Sequence, residues 1–229
     1  MFTAWFEKLN ETFLETGYYT MLIEGLKNTA IMTLGALCIG VVIGTLVAVI
    51  KYFAEDVKPL RPLAKLCDIY VTVIRGIPIV VLLLIFFFII IPSAPGIRVG
   101  IIAFGINSGA YMAELIRSGI NAVDAGQMEA GRSLGMSKLQ ATRKIVLPQA
   151  VRYILPAIGN ELIALFKETA VAGYVAVVDL TRAGNLIRNN TYDAVNPLMI
   201  VAVTYLIIVI ILTRLLKGLE RRLENNARS

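Results

Sequence analysis

Five stretches of this sequence are apolar over nearly the length that crosses a lipid bilayer, and this constrains the fold more than any other feature. They cover about 30–50, 69–91, 97–116, 153–178 and 197–213. Each approaches the roughly 20 residues that a helix needs to span the hydrocarbon core. A segment inside lipid has no water to bond its backbone, so it must satisfy its own N–H and C=O groups, which a helix does within itself. Composition agrees: only 17% of the 229 residues are charged and 57% are hydrophobic, against about 25% charged in soluble domains. The predicted fold class is an all-α membrane protein with five transmembrane helices.

The flanking regions complete the expected organisation. Phe2, Trp5, Phe6, Leu9 and Phe13 recur at helical spacing among charges and amides, which predicts an amphipathic helix lying in the membrane interface over residues 1–20. Gly17 is expected to break it, with Tyr18 and Tyr19 at headgroup level. Glu7, Glu11 and Glu15 interrupt this stretch, so it does not read as a cleaved signal peptide. A membrane domain over 21–216 follows, then a basic cytoplasmic tail over 217–229. Within the second span, Arg75-Gly76-Ile77-Pro78 predicts a kink near the cytoplasmic end. Gly40 and Gly44 form a GxxxG pair that suits close helix contact.

Basic residues set the orientation. Lys51, Lys58, Arg61, Lys65 and Arg75 lie around the first inter-span loop. Arg117, Arg132, Lys138, Arg143, Lys144 and Arg152 lie between the third and fourth spans, and Arg214, Lys217, Arg221, Arg222 and Arg228 in the tail. The other side holds about a third as many: Lys8, Lys27, Arg98, Arg182 and Arg188. The positive-inside rule then predicts the N-terminus outside and the C-terminus in the cytoplasm. The same clustering at span ends argues against nucleic-acid binding as the reason for the net charge of +6.

Enzyme chemistry finds no constellation to work with. Histidine is absent, and Cys38 and Cys67 are far apart with no CxxC spacing. No catalytic or metal-ligating set is predicted.

The segment 118–150 is the most specific part of the chain. Asp124 is a good N-cap, Gln127 lies three residues on, and Val123 with Met128 suits a hydrophobic staple. A helix should begin at Ala125 and end at Gly135 as C-cap. Ser137 with Gln140 is a second capping box, so another helix should run to about Leu147, with Pro148 at the boundary. The expected product is a cytoplasmic helical hairpin. Its first helix presents Ala125, Gly126, Ala130 and Gly131, small residues that let another protein approach closely.

Glu129-Ala130-Gly131, then Gly135, Ile145 and Leu147-Pro148, resembles the EAA signature of permease subunits of ATP-binding-cassette importers. Gly131 stands where alanine is usual. Ala110-Tyr111-Met112-Ala113-Glu114, Gly126-Gln127, Leu147-Pro148-Gln149-Ala150, Asn160-Glu161, Arg75-Gly76-Ile77-Pro78 and Thr181-Arg182-Ala183-Gly184 are similar to the polar amino acid permeases of the histidine/glutamine type. Ala170-Val171 replaces a small polar pair usual there. The resemblance covers nearly the whole chain. It implies a multi-pass protein of a prokaryotic inner or plasma membrane that works with a second permease chain, identical or homologous. It also implies two ATPase subunits and an extracytoplasmic amino-acid-binding protein. ATP and Mg belong to the partner ATPase, consistent with the lack of a GxxxxGK[ST] loop here. Ala125, Gly126, Glu129, Ala130, Gly131, Leu134 and Gly135 would form the ATPase-coupling face. Arg75, Gly76, Pro78 and Glu114 would serve structure or gating.

The fourth span carries Asn160, Glu161, Lys167 and Glu168. Glu161 and Glu168 are seven apart, as are Asn160 and Lys167, so each pair shares a face. Ionisable groups in a bilayer are costly unless they face a partner or a wet cavity. Two readings stand: these residues line an amino acid pathway, with a slight tilt towards a basic substrate, or they form internal ion pairs or subunit contacts, for instance Glu161 with Arg75. Asn107 and Ser108 of the third span either bond a zwitterion or join helices. A secondary transporter or channel is the rival class. It is disfavoured because five spans show no internal repeat of the kind such transporters carry.

Overall fold

The computed structural model describes residues 17–228. Among these residues the chain is helices joined by short turns, with no strand. The predicted interfacial helix lies almost wholly outside the described residues. Gly17 adopts φ +75°, a left-handed geometry suited to a chain break, and accepts a bond from the Thr20 amide at 3.1 Å.

The helices, in order, are α1 (Tyr19–Ala54), α2 (Arg61–Gly76), α3 (Ile79–Ile85, prolonged by a π-helical turn over Phe86–Ile90) and α4 (Gly96–Asn121). Then come α5 (Ala125–Ser133), α6 (Lys138–Ala141), α7 (Leu147–Glu168), α8 (Leu180–Thr191) and α9 (Asn196–Arg228). Among the described residues, three helices are long and apolar enough to cross a membrane: α1, α4 and α9. The broken pair α2 and α3 makes a fourth if taken as one span. The count of five therefore depends on admitting α7, whose length suffices but whose charged and amide side chains weaken its apolar character.

Three expectations change in detail. The predicted kink in the second span is a full break: α2 ends at Gly76, and Ile77 is extended ahead of Pro78. The residue before a proline is pushed out of the helical region, and proline has no N–H to continue the ladder. The fourth helix ends at Glu168, about ten residues early, and passes into a 3₁₀ turn over Thr169–Val175 closed by left-handed Ala176 at φ 61°. Thr169 caps that end by donating its hydroxyl to the Phe166 carbonyl at 2.8 Å. Finally, α9 carries on through the tail, so no break in structure marks residue 217.

The chain forms two compact units. One contains the stretch up to Ala36, Pro78–Gly105 and Ala164–Ile211. Its interior holds Met32, Leu83, Phe104, Leu165, Leu180 and Ile187, all fully buried. Polar contacts fix its turns: Asn28 Nδ2 donates to the Val178 carbonyl at 3.0 Å, and the Leu180 amide to Thr29 Oγ1 at 3.1 Å. Asp179 caps α8 by accepting the Thr181 amide at 2.9 Å.

The other unit contains Leu37–Ile77, Ile106–Ile163 and Leu212 onward. Val47, Cys67, Val71, Ala110 and Ala113 form one apolar cluster, tying α1, α2 and α4 together. The GxxxG pair works as close-approach spacing. A Cβ on Gly40 would stand 2.8 Å from Ser108 Oγ, and one on Gly44 would collide with Met112 Cβ and lie 2.9 Å from the Ala113 amide nitrogen. A second cluster joins Ala48 and Ile116 to Val123, Val146, Ala150 and Ile154, with Met128 against it. This cluster seats the hairpin.

Candidate functional site: a capped hairpin and a polar helix face

The hairpin is built by its caps. Asp124 Oδ1 accepts the Gly126 amide at 2.7 Å and starts α5 at Ala125. The helix ends in a Schellman turn: the Met136 amide donates to the Gly131 carbonyl at 3.2 Å and the Gly135 amide to the Arg132 carbonyl at 3.0 Å. Gly135 sits at φ +83°, which explains glycine at this position. Ser137 and Gln140 form the reciprocal capping box at 3.2 and 2.9 Å. The staple holds as well, since Val123 is buried and Met128 packs on the same cluster.

The second limb does not end at Leu147 as the sequence implied. Helix α6 covers only Lys138–Ala141; a π-helical turn over Thr142–Val146 then leads directly into α7 at Leu147. Pro148 therefore stands directly after a π-helical turn, inside a helical run that is continuous from Lys138 to Glu168, and the widened turn before it accommodates the missing N–H. It does not end a helix.

Exposure separates the predicted coupling residues. Ala125, Gly126, Glu129, Ala130 and Gly135 are exposed, and Leu134 is 80% exposed. Gly131 faces the opposite way and is buried; a Cβ there would lie 2.8 Å from Ile145 Cδ1 and 3.1 Å from Ala141 Cβ. The small third residue of the signature therefore serves packing within the chain and is removed from the outward face. Gln127 is held from below, accepting from Gln149 Nε2 at 3.2 Å.

The polar residues of α4 and α7 are partly brought together. Asn107 and Ser108 are buried, and the Ser108 hydroxyl donates to Glu161 Oε1 at 2.9 Å. Asn160 is exposed and returns Nδ2 to the Pro156 carbonyl at 3.1 Å. The suggested Glu161–Arg75 pair does not form. The Arg75 guanidinium lies over the Tyr111 ring, 5.0 Å from its centre. Lys167 and Glu168 belong to the other unit and lie in the last turn of α7, not in mid-span.

Glu114, expected from the sequence to serve structure or gating, is the centre of a charge network. Its Oε1 meets Lys51 Nζ at 3.1 Å, and Lys51 also meets Asp68 at 2.8 Å. Its Oε2 accepts from Arg117 Nη2 at 2.8 Å and Nε at 3.2 Å. The Glu114–Arg117 spacing was visible in the sequence, one helical turn apart. Lys51 and Asp68 were missed, because nothing local signals partners on other helices. Among the described residues no group of three or more acidic or cysteine side chains is placed to hold a metal ion.

The whole-chain comparisons agree with this picture. The model of the binding-protein-dependent transport system inner membrane component matches residues 40–225. A putative glutamine transport system permease protein of Rickettsia conorii is 37% identical over 88% of this chain and 92% of its own length. The arginine transport system permease protein of Bacillus subtilis is 35% identical, covering 90% and 93%. The crystal structure of an amino acid ABC transporter with histidines superposes with TM-score 0.83 at 39% identity, over 91% of this chain and 96% of that one. An inward-facing MetNI methionine ABC transporter, at 24% identity and TM-score 0.77, shares the fold over 89% and 96%. This chain belongs to the family of inner membrane components of binding-protein-dependent transport systems.

Proposed function

We propose that this chain is the permease subunit of an ATP-binding-cassette importer for a polar amino acid, driven through the hairpin by a separate ATPase. One observation carries the reading: a helix α5, capped at both ends, that turns Ala125, Gly126, Glu129, Ala130 and Leu134 outward. Leu134 is a large apolar side chain left 80% exposed, which favours a protein partner. Family membership supports an ATPase and a binding protein as partners; the proposed assembly has the binding protein outside, a second permease chain beside and two ATPases holding ATP and Mg below. The basic residues of the inter-span loops and tail favour the N-terminus outside and the hairpin in the cytoplasm.

The substrate path runs past Ser108 and Glu161. Ser108 aims the Glu161 carboxylate, and a carboxylate held this way in a bilayer needs a cation or water nearby. An ammonium or guanidinium group of the cargo meets that need. The glutamine and arginine transport assigned to the relatives by their names fits a polar side chain.

The test is reconstitution into vesicles with the cognate ATPase and binding protein. Expected are co-purification of the ATPase and hydrolysis stimulated by the loaded binding protein. Uptake of one amino acid class should accompany both. Uptake without ATP, or a permease that never retains the ATPase, refutes the proposal.

A further inference from the structure

The cytoplasmic face of the second unit holds a cluster of side chains that neither the family signature nor the substrate path accounts for. Lys138 is the first residue of α6, directly after the Ser137 cap. Its ammonium reaches back to the end of α1 and the turn after it. There it pairs with Asp56 Oδ2 at 2.5 Å and Glu55 Oε2 at 3.7 Å, and it lies 4.7 Å from the centre of the Tyr52 ring. The Tyr52 hydroxyl shares a 3.1 Å hydrogen bond with that of Thr142, one turn further along the hairpin's second limb. Burial works against the charge on Lys138, but Asp56, with Tyr52 and Glu55 behind it, outweighs burial and holds the ammonium above the usual lysine range. Lys138 is thus charged at every physiological pH.

This strap has a particular mechanical place. The hairpin is covalently continuous with α4 and α7 but is about seventy residues or more from α1 in sequence. Its apolar seat touches α1 through Ala48, and apolar contacts slide easily because they have no direction. A cation held between two carboxylates and an aromatic face has direction, as does a hydroxyl pair.

We propose that Lys138 is a positioning residue, with Asp56, Tyr52 and Thr142 as its partners, through which movement of the hairpin is carried to the first helix. This rests on the reading of α5 as the ATPase contact. Lys138 lies outside that contact face. Its loss therefore leaves ATPase binding in place while weakening the link between hydrolysis and transport.

The experiment uses the complete reconstituted transporter and reads amino acid imported per ATP hydrolysed, alongside ATPase retention on co-purification. Lys138→Met is expected to retain the ATPase and to lower the import ratio roughly threefold or more, within the range seen for coupling residues. Lys138→Arg should restore most of it. The charge swap Lys138→Asp with Asp56→Lys should recover more than either single change, and Tyr52→Phe, which keeps the ring but loses the hydroxyl pair, should fall between. An unchanged ratio in Lys138→Met overturns the proposal. So does a swap no better than its singles, or a loss of ATPase binding with the ratio intact in the remaining complexes. Failure of the docking reading looks different: the wild-type chain itself would not retain the ATPase.

Discussion

Gly135 offers a direct test of the idea that the hairpin is a pre-shaped element. The residue holds φ +83°, and a side chain there would meet nothing within 4 Å. Gly135→Ala therefore changes backbone strain without changing packing. An L-residue in this region costs about 1–2 kcal/mol. Escaping the strain would break both Schellman bonds, Met136 to Gly131 and Gly135 to Arg132, at about 0.5–1.5 kcal/mol each, and would also unseat Met136. Keeping the turn is therefore the cheaper course, and the strain is the whole cost. Local opening of the hairpin should become easier by about 1–2 kcal/mol, a factor of roughly 5–30. Amide hydrogen exchange on the purified chain reads this directly. Amides of α5 and α6 should exchange faster by that factor in Gly135→Ala, and by less in Gly135→Asn, since asparagine tolerates the left-handed region better. Those of α4 should stay unchanged. Equal protection in the alanine variant and the wild type would refute the reasoning, and so would a loss spread evenly over the chain.

Other changes probe the rest of the structure. Gly44→Val should lower thermal stability by about 1–3 kcal/mol through overpacking against Met112 and the α4 backbone; Gly218→Ala, with open space around it, should be neutral or slightly stabilising. Glu114→Gln leaves Lys51 and Arg117 facing a neutral amide and should cost about 1–3 kcal/mol, seen as a lower melting temperature that Glu114→Asp partly regains. Glu161→Gln should reduce uptake of cationic amino acids more than uptake of neutral ones; equal losses would assign the Ser108–Glu161 bond to helix packing alone.

Local chemistry was legible in the sequence because it is decided within a few residues. Asp124, Ser137 with Gln140, and Gly135 each act on backbone groups two to five positions away, so the caps and the Schellman turn follow from residue type and spacing. Long apolar runs likewise declare a bilayer segment by length alone, as for α1, α4 and α9. The GxxxG pair was readable as a contact, though its partner helix was not.

What the sequence determined by itself is the long apolar helices α1, α4 and α9, the caps of the hairpin and the membrane as their solvent. These depend on short-range sterics and on how much apolar surface each stretch exposes. The tertiary structure alone decided which side chains meet. It turned Gly131 inward against Ile145 and gave Glu161 a serine where an arginine had been suggested. It also gathered Lys51, Asp68, Glu114 and Arg117 from three helices. Such meetings depend on the rotation and height of each helix against its neighbours, which packing of whole faces fixes and no local run of residues encodes.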